Sequence, residues 1–341
     1  MTTDITEIVI FTVCVTFSVA YTTVAERKTT GYTQRRTGPN AVGYYGTLQA
    51  FADAVKTTIK EIITPKESNK YITVLSPLIT TITATIGWVI IPTGPAITTA
   101  DFENGITFST AIGSTGVFGV TTSGWSSNSK YSFTGAIRST AQTISYETVL
   151  TTIYITCTMT VGSTNTSTFI EAQRTVWFIL PLFPLFIIFF ISTVAETNRP
   201  PFDTVEAESE TVAGFFTEYS GSPFVFFFTA EYSNTILMCA NTTITFTGGY
   251  TGSEVTCQAV TGPTPQYSAA FFVAEGATYG AGFATKTIAT MFTFIWVRAS
   301  FPRFTYDNTI NTCWTIFTPT TFGTSTFTPA ITFIFNAFPF I

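Results

Sequence analysis

Charge is scarce along this chain and gathered into clusters. Between the clusters run stretches of about twenty residues that are apolar or carry Thr, which is the length of helix a bilayer's hydrocarbon core requires. Only 10% of the 341 residues are charged, against 45% hydrophobic and 16% aromatic, whereas a soluble domain carries about 25% charged residues. A water-soluble globule built from this chain would lack polar surface. A disordered chain is excluded by 35 Phe, 14 Tyr and 5 Trp. The chain therefore reads as an all-α polytopic membrane protein, a single membrane domain over 1–341. With Thr accepted as an apolar substitute, eight spans are expected at about 5–25, 70–92, 105–123, 143–163, 175–194, 222–247, 270–297 and 314–338. Amphipathic and short helices are expected in the loops between them. The first span is too long for a cleavable signal and wrongly flanked, with Asp4 and Glu7 before it and Arg27 and Lys28 after it.

What is missing narrows the chemistry. There is no His, which removes His-type zinc, haem ligation by His and any Ser-His or Cys-His pair. Cys14, Cys157, Cys239, Cys257 and Cys313 are scattered without a C-x-x-C pair, unlike the clustered thiolates of zinc or iron–sulfur sites. Neither a P-loop nor a G-x-G-x-x-G loop occurs. The chain is expected to bind no metal and to carry no redox cofactor of its own.

Thr is over-represented, at 72 residues against 8 Leu, where Leu is ordinarily among the commonest residues. Many Thr sit where a spanning helix wants an apolar side chain, as in Thr80-Thr81-Ile82-Thr83-Ala84-Thr85-Ile86. Thr tolerates such places by returning its hydroxyl to an upstream carbonyl of its own helix. We read most of these positions as CUN leucine codons decoded as Thr in the manner of yeast-type mitochondria. Either the organism decodes them so, or Leu occupies them in the natural chain. Peptide mass spectrometry across residues 73–99 distinguishes the two.

The basic residues orient the map. The segment 26–70 holds Arg27, Lys28, Arg35, Arg36, Lys56, Lys60, Lys66 and Lys70. Lys130 and Arg138, then Arg199, then Arg298 and Arg303 follow in alternate loops, so that 13 of the 15 Lys and Arg share one side. Arg174 lies opposite and Lys286 lies inside the seventh span. The positive-inside rule then puts both termini outside and the four long loops on the matrix or cytoplasmic face. In the first of these loops, apolar residues at 48, 51, 52, 55, 59 and 62 follow helical spacing with Asp53, Lys56 and Lys60 opposite, the pattern of a helix lying along the interface. In the third, Pro200-Pro201 ends the fifth span, and Asp203 with Glu206 three residues on suggests the opening of a short helix.

Acids carry the remaining information. Glu206, Glu208 and Glu210, with Glu196, Asp203 and Glu218 nearby, face only Arg199 as a close basic residue in sequence. They are either a solvated acidic face or a coupled set that shares protons. Glu231 sits in a Phe-rich run inside the sixth span and Glu147 near the start of the fourth; a carboxylate in a span costs about 2.5–3.5 kcal/mol unless protonated, paired or hydrated. Pairing with a cation on a neighbouring helix, Lys286 among them, is one reading; proton relay is the other and the one preferred. Arg27, Lys28, Arg35 and Arg36 suit a topology anchor, an anionic-lipid contact, a docking site or a head-group ligand equally.

These residues resemble a known family. Glu26-Arg27-Lys28, Gln34-Arg35-Arg36 with Gly38-Pro39-Asn40, Gln49 to Asp53 and Lys60-Glu61 are similar to the first matrix loop of the subunit 1 family of respiratory complex I, the mitochondrial NADH:ubiquinone oxidoreductase, with an H-type subunit as bacterial counterpart. Ala141 to Glu147, Ala195 to Asp203, Glu218-Tyr219, Ala230-Glu231-Tyr232 and Arg298 to Arg303 follow in the family's order. The chain departs from the pattern at Leu positions such as Thr29-Thr30 and Thr204, at Thr305, and in lacking a His after Tyr306-Asp307. The resemblance implies an eight-helix subunit of the mitochondrial inner membrane, at the junction with the peripheral arm. It implies a quinone chamber shaped here by Arg27, Arg35, Arg36, Phe51, Asp53, Arg199, Phe202, Asp203, Glu206, Glu208 and Arg298, and a proton relay through Glu147, Glu196, Glu206, Glu218 and Glu231. Ubiquinone is the implied substrate, with FMN and iron–sulfur clusters on partner subunits. The implied neighbours are the quinone-site subunits of the peripheral arm, adjacent small membrane subunits and lipid. Outside this reading stand a stand-alone cation–proton antiporter, expected to show inverted repeats that are not found, and the membrane anchor of a related hydrogenase.

Overall fold

A computed structural model describes residues 2–95, 98–204, 212–252 and 269–335, with the side chains of 2–7 and 269–275 left aside. Among the described residues every regular element is helical. In chain order these are α1 (Thr2–Thr33), α2 (Gln49–Ile59), α3 (Lys70–Ile86), α4 (Gly105–Ser127), α5 (Lys130–Val161), α6 (Thr166–Ala172), α7 (Phe183–Glu196), α8 (Ser222–Phe246), α9 (Ala269–Ser300), α10 (Tyr306–Thr312) and α11 (Thr318–Ile334). Each of the eight expected stretches falls on a helix. By length and composition, Ile8–Thr33 and Lys70–Ile90 are long and apolar enough to cross a membrane, and Phe183–Glu196 is apolar but short; Thr, Ser and Gly dilute the other long helices.

Two boundaries differ from expectation. The stretch 123–143 is not a long loop, because α5 starts at Lys130. Asn128 takes the left-handed conformation (φ 54°) and the Ser129 hydroxyl accepts from the Ser132 N–H at 3.2 Å, so two residues suffice to stop one helix and cap the next. Glu147 consequently lies well inside α5, not near a helix start. The fifth stretch also begins late. α7 spans only Phe183–Glu196 with Pro184 in its first turn, where a missing N–H costs nothing. Residues 175–182 run in turns, held by Ile179 N–H to the Phe246 carbonyl at 3.0 Å. At about 1.5 Å per residue α7 alone falls short of a bilayer core of about 30 Å.

Helix α8 is the hub, packing against α1, α2, α3, α7 and α9, while α3, α4 and α5 pack in sequence and α11 lies on α5. α3 and α4 approach closely at Gly119, where a Cβ would stand 2.3 Å from the Thr80 methyl. The buried face of α5 (Tyr146, Val149, Ile153, Cys157) repeats at helical spacing and meets Phe189 of α7 and Phe246 of α8 in the main core. α2 bears out the expected amphipathic helix: Phe51, Val55 and Ile59 are exposed, as suits an element lying on an interface.

Candidate functional site

After Pro200-Pro201 the chain cannot continue α7, so it turns inward. A fully buried Gln142 on α5 staples it there: its Nε2 donates to the carbonyls of Ala195 and Phe202, each at 2.8 Å, and its Oε1 accepts from the Thr204 hydroxyl at 2.7 Å. Phe202 packs between Tyr146 and Phe304, with ring centroids 5.9 and 5.4 Å away. The loop thereby carries Arg199 and Asp203 into the protein, 8% and 4% exposed.

Arg199 meets two carboxylates from two helices. Its Nη1 donates to both oxygens of Glu26 on α1, at 2.9 and 3.0 Å, and its Nε lies 3.0 Å from Oε1 of Glu231 on α8. The guanidinium lies over the Tyr232 ring at 4.1 Å, and the Tyr232 hydroxyl donates to Glu26 at 2.6 Å. Arg298 on α9 also donates to Glu26. Arg303 pairs with Asp203 at 3.1 Å. Three acids and three guanidiniums therefore balance in one cluster, as buried charge requires. Burial alone opposes the charge on Arg199, but the carboxylates of Glu231 and Glu26 outweigh it and raise its pKa above the ordinary value. The guanidinium stays charged at any working pH.

Against this cluster lies a cavity of about 140 Å³, whose lining is mostly apolar, Phe215, Phe216, Phe227 and Met238 included, with Glu147, Glu196, Asn198 and Glu231 as its chief polar groups. Glu196 Oε2, Glu231 Oε2 and Asn198 Oδ1 are buried without a protein partner. A void of this size has room for several waters, each needing roughly 10–15 Å³, and these acids and Asn198 are the groups that would hold them.

The expected site residues divide into groups. Arg199, Phe202, Asp203 and Arg298 come together in the cluster, and Glu147, Glu196 and Glu231 around the cavity. Glu218 is half-buried and does not line that cavity. Arg27 and Asp53 pair at 2.6 Å between α1 and α2 but are 50% and 37% exposed. Phe51 packs edge-on to Phe17 and Tyr21 on the outer face, and Arg35 and Arg36 are exposed. These five form an outer rim distinct from the buried cluster. Glu206, Glu208, Glu210 and the short helix expected after Asp203 lie outside the described residues.

Lys286 is not the partner of Glu231. Its Nζ donates instead to the carbonyls of Thr247, Gly249 and Thr251 at 2.7, 2.9 and 2.7 Å, which the turn following α8 gathers beyond the helix end at Phe246. Glu26, Gln142, Tyr232 and Arg303 were not singled out from sequence, although each lies within a stretch that carries the family resemblance. Glu26 left one signal: an acid at the exit of the first span, beside two basic residues.

The family model described as NADH dehydrogenase matches residues 6–329. The chain is 60% identical over 339 residues to NADH-ubiquinone oxidoreductase chain 1 of Yarrowia lipolytica, covering 99% of each. It is 47% identical over 331 residues to the protein of that name in Candida albicans (97% and 96% covered). With that of Chondrus crispus it shares 44% over 302 residues (89% and 88%).

Proposed function

This chain belongs to the NADH dehydrogenase family, and from that membership we propose that it is a membrane subunit of respiratory complex I in the mitochondrial inner membrane, where it helps form the quinone chamber and couples quinone reduction to proton movement. It spans the membrane eight times with its long loops in the matrix, against the peripheral-arm subunits that bring electrons through FMN and iron–sulfur clusters. Ubiquinone accepts two electrons and two protons to become ubiquinol. This chain's part is to stabilise the negative charge that develops before protons arrive, and to answer that charge with its own carboxylates.

The observation that carries this reading is the Arg199–Glu231 contact. Arg199 belongs to the inward loop with Phe202 and Asp203, whereas Glu231 lines the cavity that also holds Glu147 and Glu196. A change of charge on the loop side is felt at once by a carboxylate on the cavity side, since charges about 3 Å apart in a partly buried site interact by several kcal/mol. Glu231 lines the cavity and its Oε2 has no hydrogen-bond partner, so a water moving in from the cavity can take or give its proton. Glu196 and Glu147 continue the series of acids.

Substituting Glu231→Gln in the assembled complex tests the reading. Quinone reduction per complex is expected to fall about tenfold, the size of effect typical of losing a positioned acid–base group. Unchanged rate and unchanged protons pumped per electron would sink it.

A further inference from the structure

One acid in the cluster has no part in the relay just described. Glu26 is 4% exposed and accepts four hydrogen bonds: two from Arg199 Nη1, one from the Tyr232 hydroxyl and one from Arg298. A carboxylate offers about four acceptor positions, so Glu26 is saturated and has none left for a substrate or a travelling proton. It lines a second cavity of about 20 Å³ with Arg199, Tyr232 and Arg298, whereas Glu231 lines the larger one. The Arg199–Glu231 contact stands between the two.

The geometry of Arg199 shows what Glu26 does there. A guanidinium prefers to meet a carboxylate as a fork, with two parallel N–H donors on two oxygens. Toward Glu231 it does not: only Nε approaches, 3.0 Å from Oε1, while Nη1 is spent on Glu26 and Nη2 has no protein partner. The Tyr232 ring beneath, at 4.1 Å, holds the plane of the guanidinium in that setting. As a result Glu231, which lines the larger cavity, keeps its Oε2 buried and unpartnered.

We propose that Glu26 is a positioning residue for proton exchange at Glu231: by holding Nη1 of Arg199 it fixes the guanidinium at an angle from which the Nε–Nη2 edge does not close as a fork over both oxygens of Glu231, and so leaves Oε2 without a partner and able to exchange a proton with water from the cavity. This rests on Glu231 acting as a relay acid. Without the charge of Glu26, Arg199 turns its free donors to Glu231, the only other carboxylate it touches among the described residues, and locks it as a carboxylate in a closed pair. Arg298 reinforces Glu26 without reaching Glu231, and Tyr232 ties the two together.

The test uses assembled complex quantified on native gels, with a short-chain quinone as acceptor. Glu26→Gln keeps the volume and removes the charge. It is expected to lower kcat about fivefold while KM for quinone moves by less than about twofold, since the residue acts through Glu231 and not on the substrate. In the Glu231→Gln background the same change is expected to add nothing, because its target is gone. A KM rise at preserved kcat, or losses that multiply in the double variant, overturns the proposal. Should Glu26→Gln not assemble, Tyr232→Phe removes one hydrogen bond and keeps the ring; kcat is expected to fall about twofold at constant KM, and an unchanged kcat overturns the proposal. Full turnover by Glu231→Gln alone defeats the relay reading itself. Impaired Glu231→Gln beside fully active Glu26→Gln defeats only the role given to Glu26.

Discussion

Two cations meet α8, one near its middle and one just past its C-terminal end, and they are held by different means. Near the middle Arg199 is held by carboxylates, Glu26 and Glu231, above the Tyr232 ring. Past the end Lys286 is held by three backbone carbonyls and lies 4.6 Å over the Trp177 ring. The carbonyls converge because the chain doubles back through Gly248 and Gly249, at φ 70° and 51°, a backbone that side chains disfavour. A Cβ at Gly249 would also stand 2.6 Å from Ile170. Both cations sit over an aromatic face. The difference lies in the partners. A carbonyl has no second protonation state near neutral pH, so the Lys286 site is a fixed clasp on the turn after α8 that also complements the helix dipole. Carboxylates can gain protons, and the Arg199 site therefore has states to move between.

The comparison breaks first at Arg199. Arg199→Met leaves Glu26 and Glu231 buried without their shared cation, a loss of about 3–5 kcal/mol for an unpaired buried charge. The assembled complex is expected to be nearly absent from native gels. Normal amounts would mean the cluster is well solvated and its pairing is dispensable. Lys286→Met comes next. It strips three carbonyls of a charged donor in the turn that follows α8, worth about 2 kcal/mol in all. The complex is expected to inactivate at lower temperature while quinone turnover per complex stays within about twofold of normal, since no reacting group is touched. Lost turnover without lost heat stability would place Lys286 in the chemistry and erase the contrast between the two sites.

The same contrast shows what could be read from sequence. Hydropathy and charge located the helices because an uncharged stretch of bilayer length has few alternatives, and they marked Glu231 as an oddity in a Phe-rich run. They could not pair it. Lys286 looked eligible because it too lies in a span, but helical periodicity gives the face of one helix and says nothing of which other element meets that face. The true partner comes from a loop, and it reaches Glu231 only because Pro200-Pro201 stops α7 and Gln142 pulls the following chain inward. Lys130 and Arg138 misled in the opposite sense. Charge there suggested a loop, yet helices can project past a membrane, and the Asn128-Ser129 turn with its cap was the better guide. The Thr excess did not spoil the helices: in α3, the hydroxyls of Thr80, Thr83 and Thr85 each return to carbonyls three or four residues back at 2.9–3.5 Å.

The smallest effect is expected at the outer rim. Arg27 and Asp53 make a close pair at 2.6 Å, but they are 50% and 37% exposed, and water competes for both ends. Exposed pairs contribute about 0–1 kcal/mol and weaken with salt. Asp53→Asn is therefore expected to leave assembly and heat inactivation near normal, and any loss of turnover should be matched by adding salt to the unaltered complex, which screens the same pair. If instead Asp53→Asn cripples quinone reduction at every salt concentration, the carboxylate is needed for itself and not for its tie to Arg27. The outer rim then belongs with the buried cluster in function, although Phe51, Arg35 and Arg36 lie apart from it in the fold, and quinone would have to meet both on its way in.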